Sequence, residues 1–343
     1  MKISIVEALN DYFGGSDKTS YLVDINDKYQ EYESLKINQT GEHTRAYIKI
    51  QDGCNQYCTY CIIPYVRGPL RSKSLEDIRD EVTKLAAAGY KEIVVTGIHL
   101  SSYGVNGKKS GEFLEKAGKP LLEALETIDS VEGVERIRLG SLEPRIITDG
   151  FASRLSKIKT ICPHFHLSLQ SGSESVLKRM NRHYSPQEYL DGVKILEKYF
   201  ENPAVTTDII VGFPGETEED FAQTMDVVKK VEYDSAFTFI YSKRTGTPAA
   251  AMEEQVDEAV VKERFDRLLA KVQEIAAKKA AEDVGKVEEV LVEEINDHDA
   301  TLVTGRTSKN YLVHFKGDKS LIGSIVDVKL CESKGFYYIG ELA

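Results

Sequence analysis

From Ala46 onward, short runs of β-branched and aromatic residues alternate with longer segments whose apolar positions recur every three to four residues. The short runs predict strands at Ala46–Ile50, Glu92–Thr96, Arg136–Leu139, Phe165–Leu169, Thr206–Val211 and Ala236–Ile240. The periodic segments predict helices: Leu75, Ile78, Val82 and Leu85 fall on one helical face, and Gly89 ends that segment. Strand–helix alternation implies a parallel sheet with helices packed outside it. Six such units predict an α/β fold, an open, partial (β/α)6 version of the eight-unit barrel.

Helix start signals agree with this division. Ser74 with Asp77, Ser171 with Glu174, and Thr217 with Asp220 each set a capping hydroxyl three residues before a carboxylate. Ser185-Pro186-Gln187-Glu188 adds proline at the first helical position, where its missing N–H costs nothing. Asp257–Glu282 reads as one long amphipathic helix, with Val261, Phe265, Leu268, Val272 and Ile275 on a shared face. Beyond Gly285 the texture turns to short β-prone runs at Val287–Val292, Ala300–Thr304, Tyr311–His314, Ser324–Leu330 and Phe336–Leu342. Turn residues such as Asn296-Asp297, Gly317-Asp318 and Gly335 separate them, which predicts a small antiparallel β-barrel of about five strands. Upstream, Ile3–Phe13 predicts a helix, and the polar, Tyr-rich Ser20–Asn38 a connector.

Composition narrows the class. A chain of 343 residues favours two domains over one, and 41% hydrophobic with 29% charged residues fits a soluble surface around a substantial core. No apolar run approaches membrane-spanning length, and Met1–Asn10 lacks the basic lead-in and cleavage site of a secretion signal. A cytoplasmic enzyme with no membrane partner is expected. The net charge of −11 speaks against a protein that coats nucleic acid indiscriminately, yet leaves room for a local basic face. The cysteines are Cys54, Cys58, Cys61, Cys162 and Cys331, an odd count with three crowded together. That reads as cofactor ligation rather than a disulfide framework.

The segment Gly53-Cys54-Asn55-Gln56-Tyr57-Cys58-Thr59-Tyr60-Cys61 sets thiols at Cys-x3-Cys-x2-Cys on a loop after the first strand. Three thiolates can hold three irons of a cubane cluster and leave the fourth iron without a protein ligand. Electron-transfer clusters close all four positions with cysteine. Structural zinc sites pair two Cys or Cys/His elements, and no second pair stands elsewhere in the chain, so a zinc knuckle is the weaker alternative. Cys162 and Cys331 read as buried, inert thiols, and His99, His164 and His166 as ordinary packing.

The cysteine spacing, with an aromatic just before the last thiol, resembles the signature of the radical S-adenosylmethionine superfamily. The resemblance implies that Cys54, Cys58 and Cys61 ligate a [4Fe–4S] cluster whose open iron chelates the amino and carboxylate groups of S-adenosyl-L-methionine. Reductive cleavage would then give a 5′-deoxyadenosyl radical. It further implies that Tyr60 packs near the adenine, that Gly97 in Thr96-Gly97-Ile98 receives the amino group, and that Glu143 accepts from the ribose hydroxyls. Gln170, Arg182 and Asp208 are implied to hold the remaining polar groups, and the glycines of Gly212-Phe213-Pro214-Gly215 to let backbone approach the ligand. Read singly, Gln170 and Glu143 can equally satisfy backbone groups, and Asp208 can pair with an arginine.

The runs Arg45–Cys54 and Cys61–Gly68 resemble the methylthiotransferases, which insert sulfur and a methyl group. Ile48-Lys49-Ile50-Gln51-Asp52-Gly53, Thr96-Gly97-Ile98-His99-Leu100 and Ser141-Leu142-Glu143-Pro144 resemble the branch that methylthiolates C2 of N6-threonylcarbamoyladenosine at position 37 of tRNA. The isopentenyladenosine branch typically carries a Ser-His-Pro type sequence at the last place. The alternatives are a methylthiotransferase acting on N6-isopentenyladenosine or on a ribosomal-protein Asp, and, from another class, a non-catalytic iron–sulfur fragment that binds RNA. The terminal barrel resembles a TRAM domain, which implies RNA contacts. Arg306, Lys309, Lys316 and Lys319 cluster there among Tyr311, His314 and Phe315, and Arg67, Arg71 and Lys73 form a second candidate phosphate contact. The expected division is residues 1–43 as a remnant of an N-terminal domain with its connector, 44–282 as the radical core, and 283–343 as the RNA-binding barrel. The implied partners are tRNA and an electron donor such as flavodoxin or ferredoxin. Family members carry a second [4Fe–4S] cluster on three cysteines of an N-terminal domain. No cysteine precedes Cys54, so those ligands are absent here.

Overall fold

A computed structural model describes residues 4–15, 32–33, 44–105 and 111–343; most of the expected Ser20–Asn38 connector lies outside the described residues. The chain forms strands β1 (Arg45–Asp52), β2 (Arg71–Ser72), β3 (Glu92–Gly97), β4 (Arg136–Leu139), β5 (His164–His166), β6 (Ala204–Val211) and β7 (Ser235–Ile240). They lie in two sheets, β2-β1-β3-β4 and β5-β6-β7. Isolated parallel bridges, Ile137 to Ile161 and Leu142 to Leu167, join the sheets. Apart from β2, the strands are parallel, as the expected open six-unit barrel requires.

Strand alternation decides what each face meets. Ala46, Ile48, Ile50, Ile93, Val95, Ile137 and Leu139 are buried in one apolar core with Ile78, Val82 and Leu85 of the helix Leu75–Ala87. The opposite rows carry Arg45, Glu92, Arg136, Arg138, His164 and His166, so the barrel interior is polar. Ser74 and Thr217 cap their helices through the backbone N–H of Asp77 and Asp220, and Ser185 forms a reciprocal capping box with Glu188. The helix Glu258–Glu282 starts on its Asp257 cap as expected.

Five expectations change. β5 is shorter than Phe165–Leu169, because Thr207 Oγ1 takes the Leu169 N–H and Gln170 turns to φ +66°. Ser171 does not cap the following helix. That helix begins at Glu174 after Ser173, and the Ser171 hydroxyl accepts from the Ser173 N–H instead. Strand β2 is an addition, folding the chain back antiparallel onto Gln51 and Asp52. The terminal barrel, strands β8 (Val287–Ile295), β9 (Leu302–Thr307), β10 (Leu312–Lys316), β11 (Ile325–Ser333) and β12 (Tyr337–Leu342), is closed in the order β10-β12-β11-β8-β9, and β10 with β12 is parallel. An odd number of strands cannot alternate direction all the way round a closed barrel, so one parallel seam is unavoidable. Cys331, expected to be buried, is exposed, since Val328 and Leu330 face the barrel core and alternation turns Cys331 out. Cys162 is buried as expected.

The terminal barrel docks against the starts of the parallel strands. Arg136 donates to the carbonyls of Arg306 (3.0 Å) and Glu289 (2.7 Å), and Arg138 to those of Thr307 (3.1 Å) and Ser308 (2.9 Å). Arg138 Nε also meets Glu92 Oε1 at 2.7 Å, and Arg45 Nε reaches Glu293 at 2.7 Å. Burial works against the charged form of Glu92, but Arg138, Arg45 and Arg136 outweigh it and hold the carboxyl below its usual range. On the other side, Tyr311 donates to Asp234 Oδ1 at 2.7 Å, and Lys279 Nζ lies 2.7 Å from Asp234 Oδ2. The β9–β10 turn thus plugs the floor of the open barrel. Among the described residues, no helix is long and apolar enough to cross a membrane.

Two outcomes follow from this floor. Arg138→Ala leaves the Glu92 carboxylate buried with weaker pairing, at a cost of about 3–5 kcal/mol. It should lower the thermal midpoint and split a single unfolding transition into two, read by differential scanning calorimetry. His164 is held neutral by burial and by the nearby Arg138, with its pKa lowered to about 3. The unfolded chain binds a proton near pH 6.5 that the folded chain refuses, so the stability tied to His164 is whole above that pH and falls as the pH drops below it. At pH 5.5 the loss is about 1 kcal/mol. His164→Gln should flatten the fall in thermal midpoint between pH 7.5 and 5.5.

Candidate iron–sulfur and cofactor site

The cysteine loop leaves the end of β1 through Gly53, whose φ is +74° and whose added Cβ would lie 1.9 Å from the Pro69 carbonyl. Only glycine permits that crossing. The Cys54 N–H bonds Gly68 O (3.2 Å), and the Cys61 N–H closes a turn onto Cys58 O (2.9 Å). Segment 179–182, far away in sequence, clamps the loop. Asn181 Nδ2 donates to the carbonyls of Gln56 (3.1 Å) and Tyr57 (3.0 Å), Thr59 Oγ1 to Arg179 O (2.8 Å), and the Thr59 N–H to Met180 O (3.0 Å). Cys58 is buried, while Cys54 and Cys61 are partly exposed.

Behind the thiols stands Glu143, buried between two guanidinium groups and an imidazole. Arg182 Nη2 meets Oε2 at 3.0 Å, Arg145 Nε meets Oε1 at 2.9 Å, and His99 Nε2 lies 3.6 Å from Oε2. Burial opposes the carboxylate, but Arg182, His99 and Arg145 hold its pKa far below the usual range. Arg182 also points Nη1 at Cys58 Sγ (3.5 Å) and Nε at Tyr184 Oη (3.3 Å), and Arg145 Nη2 lies 3.4 Å from Gln56 Oε1. The expectation that Glu143 serves ribose hydroxyls has to accommodate this: both its oxygens already accept from guanidinium groups. Sequence reading missed Arg145 and passed over His99. The Glu143-Pro144-Arg145 run was the available signal, because the proline starts a 3-10 turn that brings the two side chains side by side.

On the other flank Tyr60 packs edge-on against Phe213 (centroids 6.4 Å), which meets Tyr241 (5.3 Å). Val176, Met180 and Ala249 complete this small apolar cluster. The turn after β6 is held by Gly212 N–H to Glu216 Oε1 (3.1 Å) and by Arg264 Nη1 to the same oxygen (3.0 Å). Gly97 packs on Gln51, where an added Cβ would come 3.0 Å from Gln51 Cβ. Gln170 bridges β6 through its backbone, with its N–H on Asp208 O (2.8 Å). Asp208 itself joins a different group, with His166 Nε2 at 3.1 Å and Ser168 Oγ at 3.2 Å. Tyr60, Glu143 and Arg182 therefore gather round the thiols, and the Asp208 carboxylate is engaged elsewhere.

The cations expected to meet RNA are not one patch. Arg306 and Lys309 sit at the docked end of the β9–β10 hairpin and pair with Glu293 (3.2 Å) and Asp283 (3.4 Å). Lys316 and Lys319 lie at its far end and are exposed. Arg67 and Arg71 flank Asp52 at 3.5 and 3.7 Å, and Lys73 is buried against Glu81. Residues 283–343 carry eleven acidic against seven basic side chains, which explains the pairing. A cavity of about 620 Å³ opens on this barrel, with Tyr337, His314, Leu302 and Leu312 among its walls and Glu294 and Asp297 also lining it.

The thiols fit a cubane better than a single ion. Among the described residues no three His, Cys, Asp or Glu side chains converge on one metal position, whereas a cubane takes one thiolate per iron. Burial pushes the Cys54 thiol up to about 12 and raises Cys61 as well, so metal is needed to displace their protons. Arg182 supplies a cation beside the charge that would gather there.

Comparison with known proteins agrees. The family model of the Radical SAM superfamily matches residues 48–228, and that of the TRAM domain residues 281–343. A tRNA-2-methylthio-N(6)-dimethylallyladenosine synthase of Lachnoclostridium phytofermentans is 49% identical over 298 residues, covering 87% of this chain and 64% of that protein. A protein of the same name from Clostridium botulinum (strain Okra) is 48% identical over 309 residues, covering 90% and 67%. The chain thus spans about two thirds of the length of these relatives. Among solved structures, the radical S-adenosylmethionine methyltransferase TsrM of Kitasatospora setae superposes with a TM-score of 0.50 at 14% identity, covering 67% of this chain and 52% of that one. At that identity the likeness concerns the fold alone.

Glu143→Gln keeps the volume but leaves Arg145 and Arg182 without their shared counter-charge. It should cost about 3 kcal/mol in urea unfolding. Adding Arg182→Met to that variant should recover part of the loss, since the two sites share one interaction.

Proposed function

The chain belongs to the methylthiotransferase family of the radical SAM superfamily, and on that footing we propose that it carries out the radical step in methylthiolation of C2 of an N6-substituted adenosine in tRNA, with the sulfur brought by a separate sulfur donor. The observation that carries this reading is the Cys54–Cys58–Cys61 loop, set at a strand end and clamped by segment 179–182. A [4Fe–4S] cluster and S-adenosylmethionine, if bound there, would supply radical chemistry able to take hydrogen from an unactivated carbon.

The protein's own side chains do the rest of the positioning. Cys54, Cys58 and Cys61 hold the cluster, and Arg182, kept in place by Glu143, faces Cys58. Tyr60 with Phe213 offers an apolar wall for the adenine. Gly97 and Gln170 bring strand-end backbone to the cofactor's polar end. We assign residues 44–282 to this chemistry and 283–343 to substrate contact, with Lys316 and Lys319 the exposed pair among the four cations expected to meet RNA. An electron donor such as a flavodoxin or ferredoxin completes the set of partners.

For the substituent on N6, the names of the relatives support dimethylallyl, the isopentenyl alternative of the sequence analysis, over the threonylcarbamoyl group first favoured. The second reading keeps one observation in its favour. Ser141-Leu142-Glu143-Pro144 stands where the isopentenyl branch typically carries a Ser-His-Pro type sequence, and Glu143 is the hub of the buried charge.

Mass spectrometry of tRNA nucleosides from a deletion strain separates the two. Loss of the methylthio-dimethylallyladenosine pool is expected; loss of the methylthio-threonylcarbamoyl pool instead selects the second reading. If both pools persist unchanged, the proposal fails. In the reconstituted protein, Ala at any one of the three cysteines should reduce 5′-deoxyadenosine formation to background.

A further inference from the structure

Of the three thiols, Cys58 is the buried one, and Arg182 Nη1 lies 3.5 Å from its sulfur. The guanidinium has little freedom to leave. Nη2 bonds Glu143 Oε2 (3.0 Å), Nε faces Tyr184 Oη (3.3 Å), and Cζ sits 4.9 Å from the Tyr184 ring centroid. Its backbone N–H is fixed on Leu177 O (2.8 Å), and the preceding Asn181 grips the carbonyls of Gln56 and Tyr57 in the loop that carries Cys58. Cys54 Sγ, by contrast, is approached by a neutral backbone donor, Gln56 N–H at 3.5 Å.

We infer that Arg182 is a positioning residue that sets the reduction potential of the cluster through its N–H to Cys58, with Glu143 moderating the charge it delivers. This rests on the cluster reading above. A one-electron reduction adds a negative charge to a group already ligated by three thiolates, inside a site where water screens poorly. A cation and a hydrogen bond at a ligating sulfur stabilise the more negative state, and such contacts are among the levers that spread cluster potentials. Arg182 therefore makes the cluster easier to reduce. Glu143 lies on the far side of the guanidinium and offsets part of its field, so the carboxylate acts in the opposite sense.

The two signs make the idea testable against simple loosening of the site. The full chain is reconstituted anaerobically with iron and sulfide, without S-adenosylmethionine, and titrated with dithionite while the cluster is followed by electron paramagnetic resonance. Arg182→Met should shift the midpoint to more negative potential than wild type, and Arg182→Lys should fall between them. Glu143→Gln should shift it to less negative potential. A general loss of packing would move all three variants in one direction, which would overturn the inference. So would unchanged midpoints in variants with wild-type iron and sulfide content. A wild-type chain that takes up no iron and sulfide would instead overturn the cluster reading, and this inference with it. If Arg182→Met fails to load, the Arg182→Lys and Glu143→Gln pair still decides, because their shifts must have opposite signs.

Discussion

A carboxylate removed from water has to be paired, and in this molecule that requirement organises both ends of the barrel. A six-strand barrel does not close on itself, so its interior keeps polar rows instead of the packed aliphatic layers of a closed one. At the strand starts Glu92 draws Arg45, Arg136 and Arg138 around itself, and the guanidinium groups left over reach out to carbonyls of the terminal barrel. At the strand ends Glu143 does the same with Arg145, Arg182 and His99, and the group left over reaches a thiol. One device thus builds an inter-domain joint at the floor and a charged wall behind the cysteines at the mouth.

This explains which features were legible in the sequence. Strand positions, helix caps and the cysteine loop depend on short-range patterns, and they lie close to where the chain announces them. Thr217 with Asp220 and Ser185 with Glu188 form their boxes within four residues. The pairings of Glu92 with Arg138 and of Glu143 with Arg182 span 46 and 39 positions, so no local pattern reveals them. The same limit hid the fate of Arg306 and Lys309. Both looked like free cations in a basic cluster, but the surplus of acid around them in space claims them. The parallel seam of the terminal barrel was hidden for a different reason, since it follows from counting strands round a ring rather than from any residue.

The histidines differ in what this charge pattern places beside them. His164, one row above the floor guanidiniums, is kept neutral by burial and by their field. His166, two residues on and facing the same way, gains the Asp208 carboxylate and a ring contact with the exposed Phe237. Both rings reach Thr206 Oγ1, His164 at 3.3 Å and His166 at 3.0 Å, yet they are not equivalent. One helps seal the floor. The other borders the open flank of the barrel, where β7 ends the sheet.

Docking the terminal barrel at the floor also constrains how a large substrate can be handled. The cysteines lie at the strand ends, and the β9–β10 turn lies at the strand starts, so the depth of the parallel strands separates them. An RNA touching both must pass along the outside of the molecule, and its phosphates meet a terminal barrel with more acid than base. Electrostatic attraction there is weak and confined to points such as Lys316 and Lys319. On the proposed function, recognition of RNA by that barrel would have to come from shape, stacking and hydrogen bonds, for which Tyr337 and His314 at 4.6 Å are suitably placed. Weak phosphate attraction carries a physical consequence: affinity for RNA at this barrel should depend only shallowly on salt, since few counterions are released when few phosphates are neutralised.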